Sequence, residues 1–247
     1  MSVTFSQLSK LGRQGNSMFQ IAAVVGYARA NRMDYFLPKW EYARHFKGDF
    51  KEVNHIHPMP RYSEKSFSYN KIPTYRNIDL YGYFQSEKYF KHCEKEIRRM
   101  FEPNDAIKGI LDASPISANT CAIHVRRTDY LTLKEYHPSL PLEYYLKAIE
   151  LMKADSYWIF SDDIEWCKEN LKGENFQYIH SGNDLLDWFM MTQCDRFIIA
   201  NSSYSFWASY LCSKEKRVIA PSKDKWFGIN YNNNSVNDLY LDLWELV

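Results

Sequence analysis

The chain has 247 residues, the length of one large domain or two small ones. It is 45% hydrophobic and 25% charged with only 9 Gly and 9 Pro, which excludes collagen-like and disordered classes and implies a packed core. A formal net charge of +1 gives no overall attraction for nucleic acid. Lys and Arg are in excess over residues 1–120, Asp and Glu over 121–247, a pattern that fits either an anionic ligand held between two halves or plain solvated charge. The aromatic share of 17% puts rings at polar surfaces and clefts as well as in the core.

In chain order, VTFSQLSKL (3–11) reads as a strand, GRQG (12–15) as a turn, and NSMFQIAAVVGYARANR (16–32) as a helix. MDYFLP (33–38) and IDLYGYF (78–84) read as strands, with loops and short helices expected over 39–77. SEKYFKHCEKEIRRMF (86–101) reads as a helix capped by Ser86. After the Ser-, Pro- and Asn-rich break at 114–120 the pattern becomes regular. Strands at 121–125, 157–160, 176–179, 196–200 and 217–221 alternate with helices at 141–153, 164–171, 183–194 and 203–212. Such alternation predicts a mainly parallel sheet with helices on both faces. Two α/β lobes, 1–117 and 118–247, follow from the break.

No stretch reaches the roughly 18–20 apolar residues that span a bilayer, and MSVTFSQLSK lacks the apolar centre of a signal peptide. Five cysteines without a C-x-x-C pair point to reduced thiols and no zinc site. A cytoplasmic place is expected, compatible with peripheral membrane association.

Ligands of open parallel sheets lie beyond the carboxyl ends of the strands, so the residues that follow each strand matter most. In IHVRRTD (123–129), His124 and Arg126 share one side of a strand while Val125 faces the other. Arg126 and Arg127 offer planar donors suited to phosphate oxygens, and Asp129 can orient an Arg or the His. The bland alternative is an Arg–Asp surface pair. NSSYS (201–205) opens a helix whose N–H groups and hydroxyls suit an anion, or simply caps it through Asn201 or Ser202. Asp187, early in its helix, is either a favourable charge at a helix start or an acceptor for paired donors such as a guanine edge. SDD (161–163) reads more readily as a cap through Ser161 or Asp162 than as a metal pair. GRQGNSMFQ is no dinucleotide fingerprint, since its spacing is G-x-x-G, but it allows close backbone approach at a helix start.

Taken together these segments resemble the α-1,2-fucosyltransferase family over most of the chain. GRQGNSMFQIAA (12–23) is similar to its G-x-x-G-N-x-x-F-Q signature, and IHVRRTDY (123–130) to its H-x-R-R-x-D motif. PLEYYLKAI, FSDDIEWCKENL, the helix holding Asp187 with Asp195 behind it, ANSSYSFWASYL and VIAPSKDKWF follow in the family's order. Thr128, Arg13, Gln14 and Ser17 depart from the commoner Gly, Gly, Leu and Gln, differences that bear on acceptor and linkage more than on donor. The H-x-R-R-x-D and Ser-Ser segments also resemble those of α-1,6- and protein O-fucosyltransferases.

The resemblance implies a GT-B-like α/β protein of two Rossmann-like lobes, the first on the acceptor side, with the donor site between them. It implies an inverting transfer of L-fucose from GDP-β-L-fucose to a glycan hydroxyl, the 2-hydroxyl of a galactose, with no cofactor, essential metal or nucleic acid. Arg126 would hold the β-phosphate, Asp187 the guanine, and Ser202 and Ser203 the phosphates, with His124 and Asp129 shaping the site. Arg127, Asp162 and Asn201 join the expected donor contacts, and Gly15, Asn16 and Gln20 would close the site from the other lobe. Glu135 and His137 stand as alternative proton acceptors. Rival readings are a fucosyltransferase of another linkage (α-1,6-like), a non-catalytic nucleotide-sugar or glycan-binding module, and a metal-dependent transferase using Asp162 and Asp163.

Overall fold

Gly12 lies in the left-handed region at φ +87°, and a Cβ placed there would come within 1.9 Å of the Asn16 side chain. Glycine therefore lets the chain leave β1 (Ser2–Thr4) and turn into α1 (Gln14–Asn31). In the computed structural model, which describes residues 1–247, these elements open the first of two units. One unit comprises residues 1–109 with 235–240, the other 110–234 with 241–247.

In the first unit α1 is buried on nearly every side from Gln14 to Ala28, so it has no single apolar stripe. After it come β2 (Asp34–Tyr35), β3 (Leu37–Pro38), β4 (Glu52–Val53), β5 (Arg61–Ser63) and β6 (Asn77–Tyr81). A parallel sheet runs in the order β2-β1-β6-β5, and β3 pairs with β4 alone. The strand expected over 33–38 is thus split. Phe36 N–H donates to the Val3 carbonyl and Leu37 N–H to that of Lys51, so the ladder changes partner between adjacent residues.

The helix expected over 86–101 is also interrupted. Two single 3-10 turns (87–89 and 91–93) precede α2 (Glu94–Met100), and Ser86 caps the first of them. Close contacts with α1 fall at the break. A Cβ at Gly26 of α1 would lie 2.1 Å from the Tyr89 carbonyl, and His92 Nε2 bonds the Gly26 carbonyl at 3.0 Å. Next, α3 (Asp105–Ala113) carries the chain into the second unit. The chain later re-enters the first unit, where the sequence suggests one division between 117 and 118. Val236, Leu239 and Tyr240 are buried there, and Asp238 accepts the Tyr69 N–H at 2.7 Å and pairs with Lys88. Those apolar side chains need cover that a polar loop would not.

The second unit keeps the expected alternation. It contains β7 (Thr120–Val125), α4 (Thr128–Thr132), α5 (Leu142–Met152), β8 (Ser156–Ser161), α6 (Ile164–Asn170), β9 (Phe176–Ile179) and α7 (Asp184–Thr192). Then follow β10 (Arg196–Ile198), α8 (Ser203–Leu211), β11 (Arg217–Ala220) and β12 (Trp244–Leu246). All six strands are parallel, in the order β12-β11-β10-β7-β8-β9. Cys121, Ile123 and Val125 pack on one face with Tyr145, Ala148 and Met152 of α5 and Cys167 of α6. By strand alternation His124 faces the other way, and its bond to Ser205 puts α8 there. Both faces are covered, as a parallel sheet requires. Each unit is thus a parallel α/β layer structure of the Rossmann-like kind.

Candidate active site

From β7 the chain steps outward through β8 and β9, then returns to the other side of β7 as β10 and steps outward again. The strand order therefore reverses between β7 and β10. At such a point the connections leaving two neighbouring strands part to opposite faces and open a crevice at their carboxyl ends. The segments that leave these two strands are Arg126–Asp129 after β7 and Asn201–Ser203 after β10, two of those singled out in the sequence.

Arg126 is held from two sides. One outer nitrogen lies 2.5 Å from Asp129 Oδ1, the other 2.7 Å from Asp162 Oδ2, and the guanidinium carbon sits 5.3 Å from the Tyr130 ring centre. Its side chain is only 15% exposed. Asp162 also accepts the Arg127 N–H at 2.9 Å and the Thr128 hydroxyl. It is not the helix cap the sequence suggests. Asp163 caps α6 through the Trp166 N–H, and Ser161 accepts the Asp163 N–H. The reason is register: β7 and β8 pair Val125 with Ser161, so Asp162 emerges beside Arg126 and neutralises it. Arg127 does not join Arg126. Its guanidinium bonds Asp163 at 3.0 Å and covers the Trp166 ring at 4.0 Å, as alternation along the strand requires. Two guanidinium groups thus face three carboxylates, and the strand tip is an oriented cation rather than a bare basic patch.

His124 is 5% exposed and its Nδ1 lies 2.9 Å from Ser205 Oγ. Ser205 Oγ also lies 3.3 Å from the Ser202 carbonyl, so the hydroxyl links the imidazole to the first turn of α8. Burial pushes this imidazole far below its ordinary range, against the pull of Asp162 and with the help of Arg126. Neutral His124 thus ties β7 to α8. Ser202 caps α8 through the Tyr204 N–H, and Ser203 is its first residue. Asn201, expected on the ligand, is turned inward. Its amide donates to the carbonyls of Pro138, Lys225 and Trp226, which staples two connections to the tip of β10. Only 2% of it is exposed. Asp187 is 7% exposed, and both its oxygens face the Ser181 N–H at 3.1 and 3.3 Å.

Glu135 is exposed, and its carboxylate faces the Asn230 side-chain amide at 3.4 Å. His137 lies closer to Arg126 in environment, because its ring stacks on Tyr130 at 5.2 Å. In the first unit, Gly15, Asn16 and Gln20 fall in the first two turns of α1. Asn16 accepts from the Gln85 amide at 2.7 Å, and Gln20 donates to the carbonyls of Leu11 and Gly82 at 3.2 Å. The amino-terminal signature thus braces the connections that follow β1 and β6. Beside it is Glu64, which no sequence pattern marks. Its carboxylate accepts the Tyr83 and Phe84 N–H groups at 2.7 and 2.9 Å, and burial raises it to about 7 against those two bonds.

Residues 27–244 match the model of Glycosyl transferase family 11. An alpha-1,2-colitosyltransferase of Escherichia coli is 30% identical over 169 residues, covering 61% of this chain and 57% of that protein. Galactoside alpha-(1,2)-fucosyltransferase 2 of Sus scrofa is 24% identical over 246 residues, covering 86% and 71%. The chain spans less than two thirds of the length of the Escherichia coli relatives it matches. Among solved structures, NodZ alpha-1,6-fucosyltransferase soaked with GDP-fucose superposes with a TM-score of 0.58 at 14% identity, over 91% of this chain and 96% of that one. At that identity the likeness is one of fold.

Proposed function

The chain belongs to glycosyl transferase family 11, and from that premise we propose that it moves L-fucose from GDP-β-L-fucose to a glycan, forming an α-1,2 bond to the 2-hydroxyl of a galactose with inversion. The observation that carries this reading is Arg126, oriented by Asp129 and Asp162 at the point where the strand order reverses. Breaking a sugar–phosphate bond builds negative charge on the leaving diphosphate and positive charge on the sugar. Donors fixed beforehand stabilise that charge without having to reorganise.

In this reading Arg126 holds the β-phosphate, and the amino end of α8 with Ser202 and Ser203 adds its dipole and hydroxyls. His124 and Ser205 keep α8 in place against β7. Asp187 retains lone pairs beyond those facing Ser181 and accepts from the adjacent N–H groups of guanine. No divalent ion is required, since Asp162 and Asp163 are already paired with Arg126 and Arg127. The α-1,2 linkage draws support from the names of both curated relatives. The colitosyl relative favours a second reading, in which the donor sugar is colitose.

The test is to incubate the purified chain with GDP-fucose and a panel of β-galactosides, then determine the linkage in the product. An α-1,2-fucosylated galactoside is expected. Competition between GDP-fucose and GDP-colitose separates the two donors. Slow hydrolysis of donor without acceptor distinguishes an enzyme from a binding module. Neither transfer nor hydrolysis with either donor would overturn the reading.

A further inference from the structure

The connection that leaves β7 is joined to a later one. Gly228 N–H donates to the Tyr136 carbonyl at 2.9 Å and Asn230 N–H to that of Glu135 at 2.8 Å. The approach is so close that a Cβ at Gly228 would lie 2.4 Å from the Glu135 carbonyl. Between these segments sits an aromatic nest with His137 at its centre. The imidazole stacks on Tyr130 at 21° and 5.2 Å, with Phe227 at 5.9 Å and the Tyr231 edge at 5.7 Å. Tyr130 carries Arg126 as well, 5.3 Å from its ring centre. One tyrosine ring thus positions both the guanidinium and the imidazole.

No side-chain hydrogen bond inside the protein engages either ring nitrogen of His137. The ring is half-buried, and its neighbours Tyr136 and Tyr231 are 40% and 37% exposed, so a polyol can approach from that side against aromatic faces. The charged groups acting on it are Asp129 and Arg126, with the hydroxyls of Tyr130 and Tyr231 on the flanking rings. Burial lowers its proton affinity, Asp129 opposes that and Arg126 adds to it, so the imidazole is neutral at neutral pH.

We propose that His137 takes the proton from the acceptor hydroxyl during transfer. This rests on the donor reading above. The acceptor O–H bond breaks with its proton passing to an imidazole nitrogen, and that oxygen forms the new bond to the anomeric carbon. The old carbon–oxygen bond breaks with its electron pair going to the β-phosphate that Arg126 holds. Glu135 is the poorer candidate, because it is exposed and its backbone is committed to the turn with Asn230.

The experiment compares the wild type with His137→Asn, His137→Phe and His137→Ala. Measurements are GDP affinity, hydrolysis of GDP-fucose without acceptor, and kcat for a β-galactoside against pH. His137→Asn, or His137→Phe if the nest needs an aromatic ring to fold, should bind GDP within about twofold of the wild type. Either should lose on the order of 100- to 10,000-fold in kcat for transfer. Imidazole added to His137→Ala should restore part of the rate and move the acid limb of the profile towards that of free imidazole. Transfer by the Asn variant within about threefold of wild type overturns the proposal. A loss without imidazole rescue and with an unchanged pH profile also overturns it, since only packing would then be at stake. If the wild type neither binds GDP nor hydrolyses GDP-fucose, the donor reading fails first and this proposal falls with it.

Discussion

Of the five N–H groups on the Arg126 guanidinium, one meets Asp129 and another Asp162, which leaves donors for phosphate oxygens. Replacing it by Lys keeps the charge but removes the planar fork that two carboxylates and an anion can share. Arg126→Lys and Arg126→Ala are both expected to lose about 100- to 1000-fold in turnover. Steady-state kinetics with GDP-fucose would check this, and a near-normal Lys variant would shift the task to charge alone. Arg127 does not stand in for Arg126, because Asp163 and Trp166 hold it on the other side of the strand. The same pairings bear on metal dependence. A cation at Asp162 or Asp163 would have to displace a guanidinium, so initial rates in EDTA should stay within about twofold of those with Mg²⁺, under roughly 0.5 kcal/mol in barrier. A large loss restored by Mg²⁺ or Mn²⁺ would promote these carboxylates to ligands. Arg126 and Asp129 are legible in sequence because they sit three residues apart after a clear strand. Asp162 is misread as a cap, since only the pairing of β7 with β8 brings it beside residues some 35 positions earlier.

At the scale of elements, the regular second half was readable because each strand is a short apolar run and each helix has its own start and stop signals. β7, α5, β8, α6 and β9 lie within a residue or so of their expected spans. Prediction fails where tertiary contacts decide. The helix over 86–101 is interrupted where its backbone meets Gly26 of α1, a change of partner splits 33–38, and β12 is three residues long and pairs with β11. The turn after β6 is another such place. Gly82 (φ +152°) and the fully buried Phe84 (φ +51°) hold backbone conformations that glycine tolerates and phenylalanine disfavours, and the Glu64 carboxylate clamps the turn through the N–H groups of Tyr83 and Phe84. Raised to about 7, Glu64 binds a proton more readily folded than unfolded. Its contribution to stability is therefore greatest at low pH and declines as pH rises from about 4.5 through 7. The difference in unfolding free energy between wild type and Glu64→Gln should move by on the order of 2 kcal/mol between pH 8 and pH 5, in favour of the wild type at pH 5. Urea titrations at both values would measure it, and a pH-independent difference would mean that Glu64 titrates as it does in the unfolded chain.

For the whole molecule, ligand binding and stability are linked. At about a hundredfold over its Kd, GDP should add about 2.7 kcal/mol and raise the melting temperature by roughly 5–10 °C for a chain of this size. UDP and ADP should shift it much less, because neither base offers Asp187 two adjacent donors; equal shifts with all three nucleotides would remove Asp187 from guanine recognition. No helix is long and apolar enough to cross a membrane. The excursion of residues 235–240 into the first unit has a further effect, on heredity rather than on chemistry. Recombination at one crossover near residue 110 would give a daughter chain the second unit of one parent together with six residues shaped to fit that parent's first unit. Leu239 and Asp238 would then meet a surface they had not evolved against, with the Lys88 partner drawn from another lineage. Exchange of units between such genes therefore favours double crossovers, and residue 238 should co-vary with residue 88 rather than with its neighbours along the chain.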